Sequence, residues 1–253
     1  MYSESHGHLR NLSDAVIEHA LTQATESGVE IVLTAGIDLA SSEQAIQLAR
    51  RFPVIKACIG IHPWNADQYS ESALARLKAL AQDAEVVAIS EIGLDYVGRR
   101  NRDWVFIPEY VDKRIQRKTF TAQLQLAKEL ELPVLVHDRT PDYEVLDILE
   151  EADNAKTGIA IHGFAKDRVY AQRCIRHGIY LSIGVRDVLA PENDALREAV
   201  QLTPIDWLLT ETDSPNPVDV VMVAKKIAEL KGLTQKDVGE VTTRNLRTLI
   251  NRL

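Results

Sequence analysis

VVAISEIGLDY, residues 86–96, is an almost uninterrupted apolar run that ends on a carboxylate, Glu91, and then on Gly93. A strand buried on both faces reads as a continuous hydrophobic run, whereas a strand with one wet face alternates. The stretch is therefore a buried strand of a mostly parallel sheet, and Glu91 stands at its rim with a charge that needs a cation, a proton or several donors. On its own that carboxylate could be a structural salt bridge, a helix cap or a catalytic group.

Working outward, the same grammar repeats. Toward the amino end lie a strand at 54–61 running into His62 and Pro63, a helix at 41–51 and a strand at 30–34. Before them comes a helix over Asn11–Ser27, with Val16, Leu21 and Ala24 on its apolar face and Gly28 as its stop. Toward the carboxyl end, strands at 133–137, 158–162, 180–185 and 207–213 alternate with helices at 115–130, 142–151, 167–177 and 192–200. Two more helices, 218–230 and 235–253, close the chain. With Met1–Ser5 as a short first strand, eight strands separated by helices occupy 253 residues, about what a (β/α)8 TIM barrel uses. The predicted fold is a single α/β barrel domain over residues 1–253 with a stub of a first strand and an extra C-terminal helix; an open doubly wound sheet is the alternative.

Composition limits the function classes. The formal charge of −8 argues against general adhesion to nucleic acid and leaves room for a locally basic site. Cys58 and Cys174 lack the spacing of a disulfide framework or a CxxC metal site, which suits reduced thiols in a cytoplasmic protein. The start MYSESHGHLR has no basic, then hydrophobic leader, and no apolar run approaches the ~18 residues of a membrane span. Neither export nor membrane insertion is expected.

A barrel keeps its active site at the carboxyl ends of its strands. Standing there are His6 and His8 after strand one, His62 after three, Glu91 after four, His137 and Arg139 after five, His162 after six, and Glu211 and Asp213 after eight. Five of the seven histidines fall at such ends, and His19 and His177 sit on helices as ordinary polar residues. Side chains two apart on a strand share a face at about 6 to 7 Å, close enough for His6 and His8 to hold one ion. Imidazoles and carboxylates without thiolates suit zinc, manganese, iron or magnesium. Six ligands, His6, His8, Glu91, His137, His162 and Asp213, exceed one tetrahedral site. They suit two divalent ions about 3.5 to 4 Å apart with Glu91 between them. Arg139, with the parity of His137, could grip a phosphate in a fork. His62 and Asp95 could contact substrate or orient a ligand.

SHGHL at 5–9, GIHP at 60–63, EIGLDY at 91–96, PVLVHDR at 133–139, HGF at 162–164 and ETDSP at 211–215 together resemble the ordered motifs of the TatD-type metal-dependent deoxyribonucleases, in the amidohydrolase superfamily. The resemblance spans nearly the whole chain. It implies a (β/α)8 barrel and the same six ligands, with Glu91 bridging two ions. Three features depart from the family pattern. Glu4 stands where the family has an Asp two before the first His, behind only MYS, so barrel closure is expected to be thin there. The loop after ETDSP is cut short, Asn216 and Pro217 following at once. A segment at 98–118 carries Arg99, Arg100, Arg102, Lys113, Arg114, Arg117 and Lys118 against Asp103, Glu109 and Asp112, with Trp104, Phe106 and Tyr110 interleaved. That composition reads either as a positive lip with rings able to stack bases or as a solvated helix start with aromatics packed on the barrel.

The function expected from these residues is hydrolysis of DNA phosphodiester bonds, at single-stranded regions or ends, by a hydroxide bridging two divalent ions (Zn, Mn or Mg), with Asp213 relaying a proton. The alternatives are a hydrolase of a small phosphoester, amide or lactone, and a non-catalytic metal-binding barrel.

Overall fold

The chain alternates strand and helix from its second residue. A computed structural model describes residues 1–100, 106–107, 109–152 and 157–250. In order these form β1 (Tyr2–Gly7), α1 (Asp14–Glu26), β2 (Val29–Ala35), α2 (Leu39–Arg51), β3 (Ile55–Ile59), α3 (Glu71–Leu80) and β4 (Val86–Asp95). There follow a small hairpin of β5 (Arg99–Arg100) and β6 (Phe106–Ile107), then α4 (Lys113–Leu130), β7 (Val134–Arg139), α5 (Glu144–Ala152), β8 (Ile159–His162) and α6 (Arg168–Arg176). The chain ends with β9 (Ile179–Gly184), α7 (Val185–Leu189), α8 (Asp194–Leu202), β10 (Leu208–Glu211), α9 (Val220–Lys231) and α10 (Gln235–Leu249).

Eight parallel strands run in the order β1-β2-β3-β4-β7-β8-β9-β10 as a nearly closed barrel, the predicted α/β architecture. Two apolar clusters fill it. The larger lies between strands and helices, from Ile17 of α1 to Ile227 of α9. The smaller takes Ile31, Leu33 and Ala35 of β2, Cys58 of β3, Leu135 of β7, Ala160 of β8 and Leu209 of β10, together with Leu246, Leu249 and Ile250 at the end of α10. Leu135, Ala160 and Leu209 share strand parity with His137, His162 and Glu211, so the smaller cluster is the barrel interior beneath the rim histidines. The C-terminal helix α10 closes the opposite end. Asn245 donates to the carbonyls of Ile205 and Leu208 where β10 begins, and a Cβ on Gly239 would lie 2.5 Å from the Met1 carbonyl oxygen where β1 begins. Only glycine allows helix and strand to approach that closely.

Three sequence expectations are corrected. The helix predicted from Asn11 starts at Asp14, with Asn11 at φ 60°; Val16 is half-exposed, and Ile17 takes the buried position instead. The last helix ends at Leu249, and residues 251–253 lie outside the described residues. The first strand is no stub: β1 is six residues long, pairs in parallel with β2, and is buried from Ser3 onward. Its sequence, YSESHG, hides this because the buried positions are polar. Its junction with β10 is made largely by those polar groups. Thr210 Oγ1 donates to the Ser3 carbonyl at 2.8 Å, Ser5 Oγ donates to the Thr210 carbonyl at 3.0 Å, and the Asp213 amide donates to the His6 carbonyl at 3.0 Å. One oxygen of Glu4 accepts both the His6 amide at 2.9 Å and the Thr212 amide at 3.0 Å. Glu4 thus ties the two ends of the barrel.

Glu4 is fully buried, and burial holds its carboxyl well above the usual carboxylate range despite the two amides and Thr212. The folded chain therefore keeps a proton that the unfolded chain releases near its ordinary value of about 4.3. Stability from this group is complete below that value and falls as pH rises from there toward the folded value. Glu4→Gln keeps the accepting oxygen and carries no charge. In chelator-treated protein, melting curves of the two forms should coincide near pH 4 and separate in favour of the Gln variant as pH rises to 8; curves that stay parallel would show that Glu4 is ionised in the fold.

Candidate metal centre

Glu91 lies where β4 breaks register. Ile89 faces Val134 of β7 and Ile92 faces Val136, three steps on one strand against two on the other. An extra residue of this kind is a β-bulge, which re-aims a side chain. The Ser90–Glu91 peptide is cis. Gly93 follows at φ 144°, where a Cβ would fall 2.0 Å from the His137 carbonyl oxygen, so the strand requires glycine there.

The bulge puts the Glu91 carboxylate between two groups of imidazoles. Its Oε1 lies 2.8 Å from His162 Nε2, 2.9 Å from His137 Nδ1 and 3.2 Å from His62 Nε2. Its Oε2 lies 3.5 Å from His6 Nε2 and 3.6 Å from His8 Nε2. Asp213 Oδ1 joins the second group, 3.1 Å from His8 Nε2 and 4.0 Å from His6 Nε2. Asp213 reaches in from a left-handed backbone at φ 50°, a conformation that Asp tolerates better than most residues. All six residues read from the sequence as ligands converge here. Two triads with donor atoms mutually within 4.8 Å, His6–His8–Glu91 and His62–Glu91–His137, share the Glu91 side chain.

The hydrogen bonds around the cluster suit a cation. His162 turns its Nδ1 toward Glu211, 3.7 Å away, and its Nε2 toward Glu91, while both ring nitrogens of His6 are buried without a hydrogen-bond partner among the described residues. Buried polar atoms are seldom left so, and neutral imidazoles grouped around carboxylates are the donor set for a borderline divalent ion. The ordered partners of His137 fit as well: Nδ1 faces Glu91 while Nε2 lies 3.1 Å from Asp95 Oδ2, the carboxylate–histidine pairing that orients a metal-binding imidazole. Asp95 also accepts from Trp64 Nε1 at 2.8 Å and from the amides of Val97 and Gly98, both at 2.9 Å. Its oxygens are thus occupied by protein donors. His62 differs from its neighbours because its Nδ1 accepts from the Trp64 amide at 3.0 Å, which places the hydrogen of the neutral ring on Nε2, aimed at Glu91.

Proton affinities follow the same contacts. Burial opposes ionisation of Glu91, but the surrounding histidines, His62 and His162 foremost, outweigh it and hold the carboxyl well below its usual range. Burial also works against a charge on His162, yet Glu91 and Glu211 push its pKa up to about 10. For His62 burial prevails and lowers the value to about 4. His6 is lowered by burial and by His162. Asp95 falls to about 2, its bonds to His137 and to two amides overcoming burial.

Above the cluster opens a cavity of about 490 Å³ whose walls include His8, His62, Trp64, Arg139, Asp187 and Asp213. Arg139 is on the wall as its parity predicts and spends one N–H on the Gly163 carbonyl at 3.1 Å. Glu211 is fully buried and accepts the Gly163 amide at 2.5 Å. Arg10, Trp64, Arg186 and Asp187 also border the cavity, and sequence reasoning did not select them. Arg10 keeps the parity of His6 and His8, and Trp64 directly follows GIHP, so signals existed for both. Arg186 and Asp187 sit in α7, an unpredicted turn immediately after β9.

Of the predicted basic lip, Arg102, Asp103 and Trp104 lie outside the described residues. Lys113, Arg114, Arg117 and Lys118 belong to the first turns of α4, capped by Asp112, whose side chain accepts the Arg114 amide at 2.8 Å. Two buried glutamines of the same helix fix the rim. Gln116 bonds both the amide and the carbonyl of Asp95, each at 2.8 Å, and Gln123 bonds the amide and carbonyl of Ile61, at 2.7 and 2.9 Å.

The chain is similar over nearly its whole length to known metal-dependent hydrolases. A protein of Bacillus subtilis (strain 168) described as the uncharacterized metal-dependent hydrolase YabD is 33% identical, over 98% of each chain. The 3'-5' ssDNA/RNA exonuclease TatD of Salmonella typhimurium is 31% identical over 92% of each. Among solved structures, the TatD homologue YJJV of Escherichia coli superposes with a TM-score of 0.85 at 25% identity, covering 99% of this chain and 98% of the other. The pattern of the family described as TatD related DNase matches residues 4–251. The chain belongs to the TatD family of metal-dependent hydrolases.

Proposed function

We propose that this hydrolase is a nuclease that cleaves phosphodiester bonds at single-stranded DNA ends with the help of two divalent ions. The observation that carries the reading is the Glu91 carboxylate, whose two oxygens face separate imidazole groups. His6, His8 and Asp213 would hold one ion and His137 and His162 the other, with Glu91 reaching both. When bound, such ions lower the pKa of water and carry charge that develops on phosphoryl oxygens. The similarity to the Salmonella typhimurium exonuclease supports the choice of substrate.

The chain's own residues have assignable parts. Asp213, one-third exposed at its side chain, keeps its carboxyl below the usual range because His8 and His6 more than offset its burial; ionised and bordering the cavity, its carboxylate would take a proton from the attacking water. Arg139 supplies the fork for a phosphate oxygen pair. His62 has its Nε2 hydrogen directed into the site and is neutral at ordinary pH, so it serves as a donor. Asp95 holds His137 in one orientation and, through Trp64, keeps an aromatic face on the cavity wall for a terminal base.

Purified protein supplied with Mn²⁺, Mg²⁺ or Zn²⁺ should shorten a single-stranded oligonucleotide and stop on addition of chelator. Release of nitrophenol from a small phosphoester without any cleavage of DNA would favour the small-substrate alternative instead. Glu91→Ala should lower kcat/KM by more than about 100-fold and reduce bound metal by at least one equivalent, while circular dichroism shows an intact barrel. Asp95→Asn should raise the metal concentration for half-maximal activity by about 10- to 100-fold, the usual size of effect for a partner of a metal-binding histidine.

Loading should also be coupled to protons. In metal-free protein His162, with its pKa near 10, holds a proton at pH 8 that a metal must displace. Affinity therefore rises with pH up to that value. Calorimetric titrations in buffers of different ionisation enthalpy should return at least one proton released per protein at pH 8; zero release would mean that His162 is neutral beforehand.

A further inference from the structure

Beside the catalytic cavity the surface holds a second concavity of about 650 Å³, lined by Tyr69, Tyr96, Lys113, Arg114, Arg117 and Lys118, with Glu144 as its carboxylate. We propose that this groove binds the backbone of the part of a single-stranded nucleic acid that lies outside the catalytic cavity. The proposal rests on the nuclease reading above and extends it to a surface that the catalytic cluster does not use.

Position is the first argument. Asp95 borders the cavity and the next residue, Tyr96, borders the groove, so the two concavities meet at the carboxyl end of β4. A strand whose end occupies the cavity has this surface available to its next segment.

Charge is the second. The protein as a whole carries −8, yet among the described residues four cations line this groove against one lining carboxylate, Glu144. Among the described residues neither Lys113 nor Lys118 has a carboxylate partner. Each ammonium lies over a ring instead, Lys113 at 4.1 Å from the centre of Tyr96 and Lys118 at 5.2 Å from that of Tyr69. The ring quadrupole positions a lysine without neutralising it. Arg114 is 94% exposed at its side chain and lies 3.6 Å from Asp112. The fourth cation, Arg117, pairs with Glu144, which also accepts the Tyr96 hydroxyl at 2.9 Å; that carboxylate fixes the floor of the groove.

Shape and chemistry narrow the occupant. Positions 113, 114, 117, 118, 121 and 125 follow one face of α4 and extend over roughly 18 Å at 1.5 Å per residue. Beyond the rings the walls among the described residues are Thr121, Ala122 and Gln125, with no large aliphatic side chain. A row of cations without an apolar floor suits a flexible polyphosphate chain better than a protein helix, which would need somewhere to bury its apolar stripe.

The test uses the full chain kept in chelator, so that binding is measured without cleavage. Fluorescein-labelled dT20 and dT3 are titrated by anisotropy into the wild type and into a Lys113→Ala, Arg114→Ala, Lys118→Ala variant at several salt concentrations. The wild type should bind dT20 at least tenfold more tightly than dT3. The variant should lose most of that difference, and its dependence of log K on log salt should be shallower by about 2, three phosphates at about 0.7 each. Hydrolysis of bis(p-nitrophenyl) phosphate by metal-loaded variant should stay unchanged, since none of the three residues borders the catalytic cavity. Equal binding of dT20 by variant and wild type, no length preference in the wild type, an equal loss for dT3 and dT20, or equal displacement of dT20 by polyglutamate of matched charge would each overturn the proposal. Binding of dT20 as expected, without cleavage once metal is added, would remove the nuclease reading and leave the groove standing.

Discussion

The Glu91 carboxylate, 4% exposed and flanked by five imidazoles, is a charge that the barrel interior can hold only while partners surround it. An ion of this kind taken out of water without compensation costs on the order of several kcal/mol. The rim is built around that constraint. Each neighbouring strand ends in a residue that can meet the charge: His6 and His8 at β1, His62 after β3, His137 on β7, His162 on β8. The layer beneath is apolar and small, with Ala35, Cys58, Ala88 and Ala160 among its members, which leaves space above for imidazole rings. The polarity of the barrel therefore changes along its axis, from aliphatic at the α10 end to ionic at the carboxyl end.

That same constraint made the sequence informative. A buried strand ending on a carboxylate demanded partners, and the other strand ends supplied them, so the converging residues could be found without knowing the packing. Helices and strands were legible because the inner strands are apolar throughout and the outer helices are periodic. The sequence does not reveal what depends on polar residues used in place of apolar ones. YSESHG carries no hydrophobic pattern, yet Ser3, Glu4 and Ser5 are buried, the Ser5 hydroxyl, the Glu4 carboxyl and the Ser3 carbonyl finding hydrogen-bond partners at or just beyond the end of β10. Gln116 and Gln123 look like surface residues in an amphipathic helix, but each closes a pair of bonds on a rim backbone. Val16 and Ile17 are equally apolar neighbours, and only tertiary contacts decide that Ile17 is the buried one. Arg186 and Asp187 were missed because α7, five residues long, is too short to show a period.

The polar closure also gives Glu4 its place. A longer side chain than Asp reaches two amides on neighbouring strands, His6 on β1 and Thr212 just beyond β10, from a buried position. Both amides belong to residues next to or within the cluster, and the Asp213 amide is bound to the His6 carbonyl. The oxygen of Glu4 therefore fixes the spacing between His6 and Asp213 through the backbone. Closure of the barrel and placement of two candidate ligands are one arrangement.

The electrostatics divide by distance. At physiological ionic strength a charge is felt over about 8 Å, so the −8 of the whole chain acts weakly at any one point of the surface, while the cations of α4 dominate the groove they line. Inside the catalytic cavity the balance differs again, because Asp187, Glu211 and Asp213 stand among Arg10, Arg139 and Arg186. A polyanion is thus not held by a uniformly positive cleft. Guanidinium groups in the cavity can orient one phosphate by their fork geometry, which needs few charges but exact placement. Lysines on α4 supply attraction that is tolerant of position, which in the proposed nuclease would suit the part of the strand outside the cavity. In the proposed nuclease, separating orientation from attraction would let the acidic cluster keep the carboxylates that a metal requires without repelling the substrate as a whole.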